Sequence, residues 1–133
     1  MPIYLGLGDV IALHALIMER TGAPPMPLRD EGLLESAIMR PRMAAHYEDA
    51  DIIRQAALLA VGISQAQAFM DGNKRTAFAA SDVFLRLNGL RFQGDSVELA
   101  KRLEGIAARR EDLDTATAEF EDWLREHTHQ TED

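Results

Sequence analysis

Gln67-Ala68-Phe69-Met70-Asp71-Gly72-Asn73-Lys74-Arg75-Thr76-Ala77 joins one apolar stretch to another, and the reading of the whole chain turns on that junction. Before it, Ile52, Ile53, Ala56, Leu59, Ala60 and Ile63 recur at helical spacing. The residues between them are largely Ala and Leu, so the helix is apolar around much of its circumference and should lie among others as a central element. Asp49 or Asp51 can cap its start, and it should end near Phe69. After the junction a second helix should begin near Asn73 and carry Ala77, Ala80, Phe84 and Leu87 to a stop at Asn88-Gly89.

Working outward, Val10, Leu13, His14 and Ile17 place a helix from Asp9 to about Arg20, with Asp9 as its cap. Thr21 to Pro27 holds three prolines, which remove backbone donors and fix φ, so a loop is expected. Asp30 should open a short helix through Leu33, Leu34, Ala37 and Ile38 that Pro41 stops. Pro41 to Asp49 has no clean period and reads as a loop or short extended flap. On the C-terminal side Leu90-Arg91-Phe92-Gln93 can pair as a strand, and Asp95-Ser96 caps a helix through Val97, Ala100, Leu103 and Ala107. A last helix from about Leu113 should bury Ala116, Phe120, Trp123 and Leu124, leaving a polar, frayed tail from His127 to Asp133. The result is an all-α fold, a compact bundle of about six helices around the long one, with at most a minor β-hairpin.

The 133 residues suit a single domain spanning 1–133. With 47% hydrophobic and 27% charged residues the composition is that of a soluble globular protein. No apolar run approaches the roughly 20 residues a membrane helix needs. Met1-Pro2-Ile3-Tyr4 lacks the basic start of a secretory signal, and there is no cysteine for a disulfide, a thiolate nucleophile or a Cys-ligated metal. A cytoplasmic location is expected. The formal charge of −8 repels a nucleic-acid backbone, which argues against direct nucleic-acid binding and is otherwise explained by solubility.

The junction itself can carry chemistry. Gly72 permits positive φ and close approach of a ligand, and the following helix offers free N–H groups and the positive end of its dipole, which together make an anion site. Lys74 and Arg75 add positive charge beside it, and Asp71 is a hard oxygen ligand suited to magnesium bridging phosphates. Equally, Asp71 and Asn73 can cap the helix, Gly72 can turn the chain, and Lys74 and Arg75 can sit on a solvated face. The residues alone leave both readings open.

Gln67-Ala68-Phe69-Met70-Asp71-Gly72-Asn73-Lys74-Arg75 resembles the central motif of the Fic/Doc family, His-x-Phe-x-Asp/Glu-x-Asn-Lys/Gly-Arg, with Gln67 at the histidine position. Leu28 to Ala37 resembles the early helix of Doc proteins, and Phe84 to Gly89 their helix after the motif. The resemblance implies a toxin of a toxin-antitoxin system, with ATP as substrate, Mg2+ on Asp71, and Gly72, Asn73, Lys74 and Arg75 on phosphates. Adenylyl-transferring members usually carry glycine where this chain has Lys74, and a second arginine where it has Phe78. Both departures favour the Doc type, which the resemblance links to phosphorylation of a hydroxyl on elongation factor Tu. Losing the second arginine removes a charge-assisted phosphate contact.

Gln67 sets the chain apart. The family's histidine acts as general base, whereas a glutamine amide gives and takes hydrogen bonds without accepting a proton near neutral pH. Loss of such a base costs about a hundred- to ten-thousand-fold in rate. Catalysis by Gln67, Lys74 and Arg75 is therefore expected to be impaired. A natural pseudo-enzyme, a laboratory substitution and a spontaneous escape from toxicity all account for Gln67; survival of the other motif positions favours a recent or deliberate change. The competing class is a Fic-fold binding module without chemistry.

Elsewhere, His14 reads as a helix-packing residue and His46 as a flap or loop residue, and His127-x-His129 is a weak metal pattern to which no zinc is assigned. Met18, Met26, Met39 and Met43 read as core or loop filling, or as the lining of a partner groove. Arg109-Arg110 before Glu111 and Asp112 reads as a solvated turn. Thr117 to Glu121 has the spacing of an inhibitory Ser/Thr-x-x-x-Glu segment, but Asp122 and the apolar Phe120 make it an ordinary helix. Inhibition is then expected in trans, from a Phd-like antitoxin whose disordered C-terminal segment folds on binding.

Overall fold

A computed structural model describes residues 1–22, 28–107 and 112–131. Within them the helices are α1 (Leu7–Arg20), α2 (Glu31–Glu48), α3 (Ile52–Ala66), α4 (Asn73–Leu87), α5 (Ser96–Ala107) and α6 (Leu113–Glu126). Two short strands, β1 (Leu90–Phe92) and β2 (Thr128–Gln130), complete the fold. The all-α reading holds. Most of Thr21–Pro27 and the Arg109-Arg110-Glu111 turn lie outside the described residues.

Helix α3 is the axis, packing against α2, α4, α5 and α6, while α1 lies on α4 and touches α2. Every residue from Gln55 to Ser64 is buried. Small residues make this possible: a Cβ at Gly62 would lie 3.3 Å from the Cβ of Ala37, so α2 and α3 meet almost backbone to backbone. Leu34, Leu59, Ile63 and Phe84 fill the space around them, each buried to 1% exposure or less. Such burial stabilises by about 1.5–3 kcal/mol per side chain.

Several boundaries differ from expectation for local reasons. Asp9 sits in the first turn of α1, where its carboxylate accepts the Gly6 N–H at 2.8 Å; it caps from inside the helix and not from before it. Pro41 does not stop α2, and the expected flap from 41 to 49 is helical to Glu48. Proline there forfeits only the bond to the carbonyl of Ala37, and its ring is buried with Leu34, Ala37, Ile38 and Ala44 in the interface. His46 is accordingly a helical residue, edge-on to Tyr47. Asp51, not Asp49, caps α3, accepting the Arg54 N–H at 2.9 Å, while Asp49 ends α2 in the left-handed region.

Helix α3 stops at Gln67, two residues short of Phe69. Val97 is exposed, so α5 buries Leu99, Leu103 and Ile106 as its face. As far as it is described, to Thr131, the tail is not frayed. β2 pairs antiparallel with β1, Phe92 opposite Thr128, and the buried Thr128 donates its hydroxyl to the Leu124 carbonyl at 2.7 Å. His127 bonds its Nδ1 to the Trp123 carbonyl. Among the described residues no cluster of three or more His, Cys, Asp or Glu could hold a metal, and no helix is long and apolar enough to cross a membrane.

Candidate functional site

The site forms where the buried α3 hands over to α4. Gln67 ends α3 with φ 51° and ψ 37°, and Gly72 precedes α4 with φ 82°. These two left-handed residues turn the chain through a tight loop. Ala68 and Phe69 between them are buried, whereas Met70 and Asp71 face outward. Gln67, Met70, Asp71, Gly72, Asn73, Lys74 and Arg75 line one cleft of about 400 Å³. All the site residues chosen from the sequence therefore meet on one surface.

Each plays a distinct part in the geometry. No side chain caps α4 at Gly72, so the first-turn N–H groups open toward the cleft with the helix dipole behind them. Asp71 accepts the Gly72 N–H on Oδ1 at 2.8 Å, and its exposed carboxylate is the single acidic group among the described residues that line the cleft. One carboxylate suits magnesium that arrives with phosphates, and would be a poor resident site. Arg75 is exposed at the cleft, and Lys74 spans to Glu104 of α5 at 3.0 Å. That pair is half in solvent and worth little.

The Asn73 side chain is turned into the loop. It is buried and bonded twice to Phe69, accepting the N–H at 3.1 Å and donating to the carbonyl at 2.9 Å. It is the brace that closes the loop, and only its backbone N–H is left to face an anion. The Gln67 side chain is exposed but folds back, Nε2 donating to the Ser64 carbonyl at 3.0 Å.

Two supports come from distant sequence. Arg29 donates to the Gln67 carbonyl at 2.6 Å, while the Arg29 and Asp30 N–H groups both donate to the Ala68 carbonyl, in a segment where Leu28 bridges Phe69. From α1, buried His14 reaches the Asp71 carbonyl at 2.8 Å and stacks on the Phe69 ring. Neither support was marked by the sequence as part of the site. A histidine within an otherwise apolar helical stripe was the available signal for one of them.

Other candidates fall away from the cleft. Phe78 packs edge-on to Phe92, a role in the core. Glu121 pairs with Arg54 at 2.7 Å and Arg125 at 3.1 Å, beside the start of α3. The loop follows the other end of that 15-residue helix, roughly 20 Å away. An inhibitory role toward Arg75 is thereby denied to Glu121.

Comparison with known proteins shows the family. A family model described as "Fic/DOC family" matches residues 4–85. A protein named "Toxin Doc" from Mycolicibacterium smegmatis is 39% identical over 124 residues, covering 90% of this chain and 92% of that protein. "Protein kinase doc" of Escherichia phage P1 is 36% identical over 100 residues, covering 74% and 78% respectively.

Proposed function

The chain belongs to the Fic/DOC family, and from that premise we propose that it is a Doc-like toxin whose cleft takes magnesium-ATP for phosphoryl transfer to a protein hydroxyl. Elongation factor Tu is the target that the family resemblance supplies. Gln67 leaves this chain inactive or nearly so.

The observation that carries the reading is the meeting, in one cleft, of an uncapped helix N-terminus, Arg75, Lys74, the Asp71 carboxylate and the Gln67 side chain. The backbone N–H groups of Asn73, Lys74 and Arg75 bind and orient phosphate oxygens, and Arg75 adds bidentate, charge-assisted bonds. Asp71 would hold magnesium, which when bound would neutralise phosphate charge. Lys74 swings from Glu104 to the phosphate. The missing function is proton removal from the acceptor hydroxyl, because the Gln67 amide has no basic nitrogen and its Nε2 is engaged by Ser64. The same observation favours the second reading, a non-catalytic module with the same fold.

Adenylyl transfer is the poorer fit, since Phe78 is used for packing where a second arginine would be needed. Control by a Phd-like antitoxin in trans is supported by the engagement of Glu121 elsewhere. The lack of cysteine and the acidic composition suit a cytoplasmic location.

Calorimetry with magnesium-ATP tests the nucleotide site directly. Weak binding is expected in the chain as it stands, falling about ten- to a hundredfold in Asp71→Ala and Arg75→Ala, the weight of a lost charged hydrogen bond. Absence of binding in every folded variant would count against it.

A further inference from the structure

The cleft residues sit on a loop whose shape is held from another helix. His14, on α1, is 4% exposed and 57 positions from its partner, yet its Nε2 lies 2.8 Å from the Asp71 carbonyl. A carbonyl only accepts, so that nitrogen must carry the hydrogen. The same ring lies nearly parallel to Phe69, centroids 3.8 Å apart and planes 9° apart. At Gly72 a Cβ would lie 3.4 Å from His14 Cδ2 and 3.0 Å from the sulfur of Met18, one turn further along α1. One face of α1 thus touches three successive parts of the loop: the Phe69 ring, the Asp71 backbone and the Gly72 turn.

We propose that His14 is a positioning residue of the phosphate site, acting through the loop and never touching nucleotide. Its Nε2–H bond fixes the peptide that follows Asp71, and with it the direction of the Asp71 carboxylate and the approach of Gly72 to phosphate. The stack on Phe69 fixes the other side of the same turn. A packing residue would need only the ring; a positioning residue needs the ring and the hydrogen on Nε2. This inference rests on the nucleotide reading above, and its test separates the two.

The test uses the full chain, with His14→Phe, which keeps a ring and loses the donor, and His14→Gln, whose amide N–H can reach the place of Nε2. His14→Phe is expected to lose about tenfold in magnesium-ATP affinity, the weight of one hydrogen bond, and His14→Gln to recover a good part of it. The melting temperatures without nucleotide should not follow that order. Unchanged affinity in His14→Phe overturns the proposal, as does equal loss in both variants with the fold intact. Should His14→Phe fail to fold, nitrogen NMR of the parent ring decides: the Nε2–H tautomer is expected, and the Nδ1–H tautomer refutes it. Should the parent not bind magnesium-ATP, the nucleotide reading and the His14 role in it both fall. Amide exchange at Phe69, faster in His14→Phe only if the imidazole holds the loop, then reports on the clamp separately.

Discussion

Gly72 combines two demands that no other residue meets together: a φ of 82° and a Met18 sulfur 3.0 Å from where a Cβ would stand. Gly72→Ala should therefore lose about 1–3 kcal/mol in chemical denaturation, from left-handed strain and crowding together. A loss within a few tenths would show that the turn is softer than its geometry. Gln67 also occupies the left-handed region, at φ 51°, a conformation in which histidine is enriched, so the backbone there would accept the family's residue at no more strain than Gln67 already bears. The loop residues themselves were legible because chemistry and turn geometry lie within nine consecutive positions. His14 and Arg29 were not, since their partners lie 57 and 38 positions away and a buried histidine in a helix reads first as packing. The part of the Asn73 side chain as a loop brace was not legible, because a phosphate ligand and a buried loop brace present the same residue type.

Helix α3 owes its start to Asp51, which accepts the Arg54 N–H and two bonds from Arg125, at 2.6 and 3.2 Å. The Arg125 guanidinium holds the Asp51 carboxyl below its ordinary range, outweighing the opposite effect of burial, and the Arg54 N–H adds to the lowering. A carboxyl lowered in the folded state contributes stability above its unfolded pKa, about 4, and loses it as the pH falls through the folded value. Asp51→Asn keeps the cap and removes the charge. It should therefore cost about 0.5–1 kcal/mol at neutral pH, discounted for an exposed pair, and the gap from the parent should narrow as the pH falls below the unfolded value of about 4 and through the lower folded one. A gap independent of pH in denaturant titrations would contradict the ion pair's part. Helix α2 shows where periodicity misleads: Pro41 reads as a stop because the rule counts a lost backbone bond, whereas burial of the ring compensates for it. Sequence could mark the proline but not the neighbour. The pairing of β2 with β1 was hidden for the same reason, since its polar residues read as solvent-facing and their partners lie far upstream.

The described helices pack on α3, and the cleft lies on the loop that follows its C-terminal end, so changes within the cleft should leave distant surfaces intact. A Phd-like antitoxin segment should accordingly bind this chain despite Gln67, and coexpression with the neighbouring gene's product should yield a copurifying complex. Failure to recover any complex would favour an orphan scaffold. The central claim is that the site lacks only its proton acceptor. An imidazole with a reference pKa near 6.5 is largely neutral at cytoplasmic pH and can take the hydroxyl proton, provided the surrounding charge stabilisation is in place. The direct measurement is label transfer from ATP, carried on the γ- or α-phosphate, to elongation factor Tu by Gln67→His, with and without Arg75→Ala. The account predicts γ-label transfer and toxicity in the revertant, both lost with Arg75→Ala. Transfer of α-label would contradict the phosphoryl assignment, and no transfer of either label by a folded revertant would contradict the account as a whole.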